Sequence, residues 1–201
     1  MDCRGCEVRK RIVKNYDVEP LAHIKLLNGT IVHSDAGSDI IDSYFVFKCT
    51  EKKTGKHETI YCGRPTAEDF CKLTGKRLPA IFNPLQEHGK TSGGSLNERD
   101  SKKIRWNPVR KELYNATMLL IVAWNAKPDS VLYSIKDEIE KQIDREPCIS
   151  QIKSINTILC KGHTTMKKVL HRLEAKNEIK KYSFEQLICI LQERGIEQYF
   201  E

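Results

Sequence analysis

At 201 residues and 23.2 kDa, with 39% hydrophobic and 30% charged residues and a formal net charge of +7, the chain has the composition of a globular protein of one large or two small domains. Its eight cysteines are too sparse for a disulfide-built scaffold, and no apolar run reaches the roughly 20 residues that span a bilayer, which excludes a membrane protein. Charge at Asp2 and Arg4 stands where a signal peptide needs an apolar core, so a cytoplasmic (intracellular) protein with reduced or metal-bound thiols is expected.

Strand signals dominate the first part. Residues 22–27 and 29–32 form a candidate pair around the turn dipeptide Asn28-Gly29. A second hairpin joins 44–49 to 58–62 through a charged tip holding Thr54, Gly55 and Lys56, and Pro65 then opens a short helix that ends near Thr74 and Gly75. The stretch 83–100 combines proline, glycine, serine and asparagine with little to bury, and it marks a loop. After it the periodicity becomes helical. Pro108 opens a helix that runs through Trp124 with an apolar centre, and Leu132, Ile135, Ile139 and Ile143 mark one face of the next, ending before Pro147. Ser150 is the expected cap of a helix burying Ile152, Ile155 and Leu159. Thr164 or Thr165 caps one burying Met166, Val169, Leu170 and Leu173, and Ser183 with Gln186 makes a capping box for the last.

The class predicted is therefore α+β: a β-hairpin-rich module over 1–85, a linker or loop over 86–103, and a mainly helical domain over 104–201. Cys3 and Cys6 form a C-x2-C turn, the spacing at which two thiolates reach one tetrahedral zinc. This turn, followed by a hairpin and then by Cys62 at a helix start, resembles a treble-clef zinc module. The resemblance implies a structural Zn2+ on Cys3, Cys6 and Cys62, with Cys71 as fourth ligand and Cys49 or His57 as the alternatives. Cys71 and Cys49 are also readable as core residues, and Cys3, Cys6 and Cys62 as reduced structural thiols.

Charge is segregated along the chain. Residues 48–111 hold 15 basic and 7 acidic residues and residues 153–181 hold 8 and 2, while 129–148 hold 3 and 6. Such segregation suits a phosphate-backbone footprint. Residues 163–180 resemble the recognition helix and following strand of MarR-like winged-helix proteins, which implies DNA binding. Burying Met166, Val169, Leu170 and Leu173 turns Lys167, Lys168, Arg172 and Lys176 outward, and Lys102 and Arg105 flank Trp106 as a second basic group. A zinc-stabilised nucleic-acid-binding or regulatory protein, rather than an enzyme, is the expectation.

Three other readings carry less. Asp35, Asp39, Asp42, Glu51 and Lys53 resemble the acidic and lysine set of metal-dependent nucleases, and Cys62 near a helix start could serve a cysteine-based enzyme. The basic surface could instead meet an acidic protein partner. Gly89-Lys90-Thr91 resembles a P-loop end, but Pro84 stands where its first glycine is required; Cys160 and His163 have C-x2-H spacing that a helix end also explains.

Overall fold

The computed structural model describes residues 1–86 and 105–201. It is α+β and divides into two compact units, Met1–Pro84 and Leu85–Glu201. The loop expected over 86–103 lies, apart from Gln86, outside the described residues.

Unit 1 begins with a helix the sequence reading did not anticipate, α1 (Cys6–Asn15), which leads directly into the long strand β1 (Tyr16–Lys25). Short strands β2 (Val32–His33) and β3 (Asp39–Ile40) follow, then β4 (Ser43–Glu51), β5 (His57–Cys62), α2 (Arg64–Thr74) and β6 (Ile81–Phe82). The main sheet has the order β5-β4-β1-β6, with β6 parallel to β1 and the other pairs antiparallel. The second hairpin forms where alternation placed it. The first does not: Asn28-Gly29 is a turn, but β1 pairs with β4, and the strand after the turn pairs with β3.

Helices α1 and α2 cover one face of this sheet. Ile12 of α1 and Ala67, Phe70 and Cys71 of α2 close over Val18, Phe45, Phe47, Cys49, Ile60 and Cys62, with Cys3 joining from the chain before α1. In β1 a bulge falls between Pro20 and Ala22, which brings His23 opposite Phe45, and their rings stack with centroids 3.8 Å apart. Asp35 ties the turn after β2 to β5: its backbone N–H donates to Tyr61 O (2.8 Å) and its carboxylate accepts from Tyr61 N–H (2.7 Å).

Among its described residues unit 2 has five helices, α3 (Pro108–Ala123), α4 (Val131–Glu140), α5 (Ile149–Lys161), α6 (Met166–Glu174) and α7 (Glu185–Gln192). Asn107 caps α3, accepting from Arg110 N–H (3.1 Å), with Pro108 at the helix start. From Leu113 to Ile121 almost every side chain of α3 is buried, because the other helices pack around it. Its buried Arg110 donates to Arg145 O (2.5 Å), Ile139 O (3.0 Å) and Glu146 O (3.1 Å), fastening the α4–α5 connection to α3. Two caps differ from the sequence reading. Cys148, not Ser150, precedes α5, and the N–H groups of Gln186 and Leu187 at the start of α7 donate to the Glu112 carboxylate of α3 (3.1 and 3.3 Å). A carboxylate at a helix N-terminus is favoured by the macrodipole, and this one comes from 74 residues earlier in the chain.

Candidate nucleic-acid interface

The candidate interface comprises α5, a short turn and α6. Gly162 ends α5, and a Cβ there would come 3.2 Å from Ile158 O, a contact tight enough that the neighbouring backbone would have to give by a few tenths of an ångström. His163 then takes a left-handed conformation (φ 47), and Thr165 caps α6 by accepting from Lys168 N–H (3.3 Å). Met166, Val169 and Leu173 are buried, which fixes the rotation of α6 and leaves Lys167, Lys168, His171 and Arg172 exposed. Among the described residues no carboxylate forms an ion pair with Lys167, Lys168 or Arg172. Lys176 is exposed just beyond the helix end.

The last residues of unit 2 brace this helix. Tyr199 O accepts the Met166 N–H (2.9 Å), one of the amides that has no partner inside α6. Buried Asn156 of α5 holds the same segment in both directions, donating to Glu197 O (2.8 Å) and accepting from Tyr199 N–H (2.9 Å), while Phe200 packs on Phe184. The rest of the proposed basic surface is divided. Arg105 is exposed, but Lys102 lies outside the described residues, as does Gly89-Lys90-Thr91. Trp106 is engaged within its own unit: Lys111 sits 4.8 Å from its ring centroid and 4.7 Å from that of Tyr114, and the two rings are 4.9 Å apart. Burial holds the Lys111 ammonium below the usual lysine range, against the charge of Glu140, which works the other way.

After α6 the chain passes through an isolated antiparallel bridge between Ile179 and Leu85, supported by Gln86, which donates to Glu178 O and Ile179 O (both 2.8 Å). Among the described residues no wing hairpin separates α6 from α7.

A family model described as uncharacterised conserved protein UCP028583 matches residues 1–199. The chain belongs to that family. The match runs through both units. No curated protein and no solved structure matches the chain.

In the sheet unit of this family member the cysteines group differently from the expected ligand set. Cys3, Cys62 and Cys71 share one buried cluster with Cys49, whereas Cys6, at the first position of α1, is exposed. Burial is the main cause of raised thiol pKa values, to about 11 at Cys3 and about 12 at Cys49, with Cys62 pushed still higher and Cys71 also raised. Among the described residues no three histidine, cysteine or acidic side chains come together as a metal-holding group. His57 is exposed at the hairpin, with Nδ1 2.9 Å from Thr50 Oγ1. The acidic series is dispersed as well. Asp35 is tied to Tyr61, Asp39 lies 2.9 Å from His33 Nδ1, Asp42 pairs with Lys25, and Glu51 accepts from Thr54. Cys160 and His163 are joined only through a helix-end bond, His163 N–H to Cys160 O (2.9 Å).

Two chemically distinctive groups escaped the sequence reading. Cys148 caps α5 with its Sγ 3.1 Å from Ser150 Oγ, and that hydrogen bond, then the Gln151 amide, lowers its pKa. A cysteine two residues before a serine and three before a glutamine was the available signal. His23, stacked on Phe45 with Nε2 3.1 Å from Ser43 Oγ, is held to about 4, by burial first and then by the nearby charge of Arg64. Ser43 also bonds Asp42, so its hydroxyl is shared rather than activated by the imidazole. Only the β-bulge reveals which face His23 takes. Among the described residues no helix is long and apolar enough to cross a membrane.

Proposed function

We propose that this protein binds nucleic acid through the backbone phosphates, with α5, its turn and α6 acting as a helix-turn-helix. The observation that carries this reading is the row of exposed cations, Lys167, Lys168 and Arg172, without a carboxylate partner among the described residues, on a helix whose rotation the core fixes. Lys176 and Arg105 extend the positive surface. Cations held on a rigid helix neutralise phosphates and release condensed counterions, which gives affinity without base contacts. Zinc is not needed for this contact, which belongs to unit 2.

The test is binding of a labelled random-sequence duplex at several salt concentrations. Affinity should fall with a log–log slope of about −0.9 per phosphate engaged. The double variant Lys167→Glu/Lys168→Glu should lower affinity roughly tenfold or more and flatten the slope by about 2. An unchanged slope and affinity in that variant would remove α6 from the reading, and failure of the native chain to bind both the duplex and a single-stranded oligonucleotide would remove the reading itself.

A further inference from the structure

The chain has two tryptophans, and the structure gives them different roles. Trp106 is covered by Lys111 and Tyr114. Trp124, at the C-terminal end of the otherwise buried α3, is 36% exposed, and among the described residues no aromatic ring or cation engages it. A large aromatic at the end of a core helix has an apolar interior beside it, yet this one keeps part of its surface open to solvent.

Its position is held from both sides. The Trp124 N–H donates to Leu120 O (3.0 Å), and the chain leaves α3 through Asn125 in a left-handed conformation (φ 46), which fixes where the indole projects. The ring edge lies against the α5–α6 turn: Cη2 is 3.6 Å from the place a Cβ on Gly162 would occupy. The glycine at the end of α5 is thus also the seat of the indole. That turn is lined by exposed Lys161 and His163 and opens directly into the first turn of α6, which carries Lys167 and Lys168.

An aromatic surface beside a positively charged turn is the combination that holds an unstacked base while cations hold its phosphates, and every base presents a π-face for it. A base inside a duplex is already stacked on its neighbours and offers no face. We infer that Trp124 is a stacking platform for an unpaired nucleobase and that the ligand class is single-stranded nucleic acid, or the single-stranded part of a junction, with phosphates on Lys161, Lys167 and Lys168. This inference rests on the proposed role of α6.

The experiment compares a 20-nucleotide oligo(dT) with a duplex of the same length, using the full chain, Trp124→Leu, Trp124→Phe and the Lys167→Glu/Lys168→Glu variant. Circular dichroism melting confirms that each variant is folded. In the native chain tryptophan emission should be quenched on adding oligo(dT), and the quenching should vanish in Trp124→Phe, where only Trp106 remains. Trp124→Leu should weaken oligo(dT) binding about tenfold or more, from a stacking contribution of about 1–3 kcal/mol, and leave duplex affinity within about twofold. Trp124→Phe should recover part of the loss, and the double lysine variant should weaken both ligands. Equal effects of Trp124→Leu on both ligands, or none on either, overturn the inference while the α6 reading stands. Failure of the native chain to bind either ligand overturns both.

Discussion

Replacing Arg110 with methionine keeps most of the buried aliphatic stem but removes three donors at once. Of the three bonds, the one to Ile139 O is fully buried, and those to Arg145 O and Glu146 O are partly buried, so water can reach the latter two carbonyls after the change. A bond to a charged donor, once broken, costs about 1.5–3 kcal/mol when its partner is left dry. Taking about 2 kcal/mol for Ile139 and about 1 for each of the others gives about 4 kcal/mol. Relief from burying the guanidinium returns about 1, leaving a loss of about 3 kcal/mol. For a unit of this size that lowers the melting temperature by about 10 °C. Thermal denaturation followed by circular dichroism reads the total, and amide hydrogen exchange locates it: protection should fall first over 139–146, the connection that Arg110 holds. A melting temperature within about 2 °C of the native value, with exchange unchanged there, would mean that the α4–α5 connection is fixed by something other than these bonds.

Two further outcomes concern titration and thiols. His23 is held to about 4 in the folded chain against an ordinary value near 6.5. The unfolded state therefore binds the proton first, and unit 1 should lose stability as pH falls from about 6.5 towards 4, with no further loss from this group below that. The full shift is worth up to about 3 kcal/mol, reduced to about 1–2 because the ring is partly open to solvent. His23→Gln should flatten this dependence in denaturant titrations between pH 7 and pH 4; an equally steep variant would assign the effect elsewhere. Cys148 should be alkylated by iodoacetamide at pH 7 well before Cys189, whose thiol is raised by Glu193, and before buried Cys3, Cys49, Cys62 and Cys71. Peptide mass spectrometry gives the order. Ser150→Ala should slow Cys148 by severalfold, and an unaltered rate would show that the cap geometry does not activate it.

What the sequence revealed, and what it withheld, follows from the range of the interactions involved. The hairpin of β4 and β5 was legible because alternating buried positions and a charged tip are local. The rotation of α6 was legible because a 3.6-residue spacing of Met166, Val169 and Leu173 leaves only one way to face the core. The turn at Asn28-Gly29 was also legible, but not its consequence, since the partner of β1 is chosen by burial across the sheet and not by the nearest turn. Helix α1 has a single fully buried side chain, Ile12, and its other residues are mainly charged, so its periodic signal is thin; the C-x2-C spacing at its start suggested a metal knuckle instead. Glu112 at the start of α7 and Tyr199 at the start of α6 are long-range caps with no local signature. The difference between Trp106 and Trp124 was equally invisible, because it depends on a lysine one turn along α3 in one case and on a glycine in a distant turn in the other.

The bracing of α6 by residues 197–200 also has a temporal side. During synthesis α5 and α6 emerge well before Glu197, Tyr199 and Phe200, so the Asn156 amide waits without these two partners and the first amide of α6 without its acceptor. The helix carrying the basic row can therefore reach its final rigidity only after that segment has been made and locks into place. A nascent chain stalled shortly before it would display the same lysines on a looser support, exposed to proteases and to adventitious contact with the polyanionic surface of the ribosome that is making it.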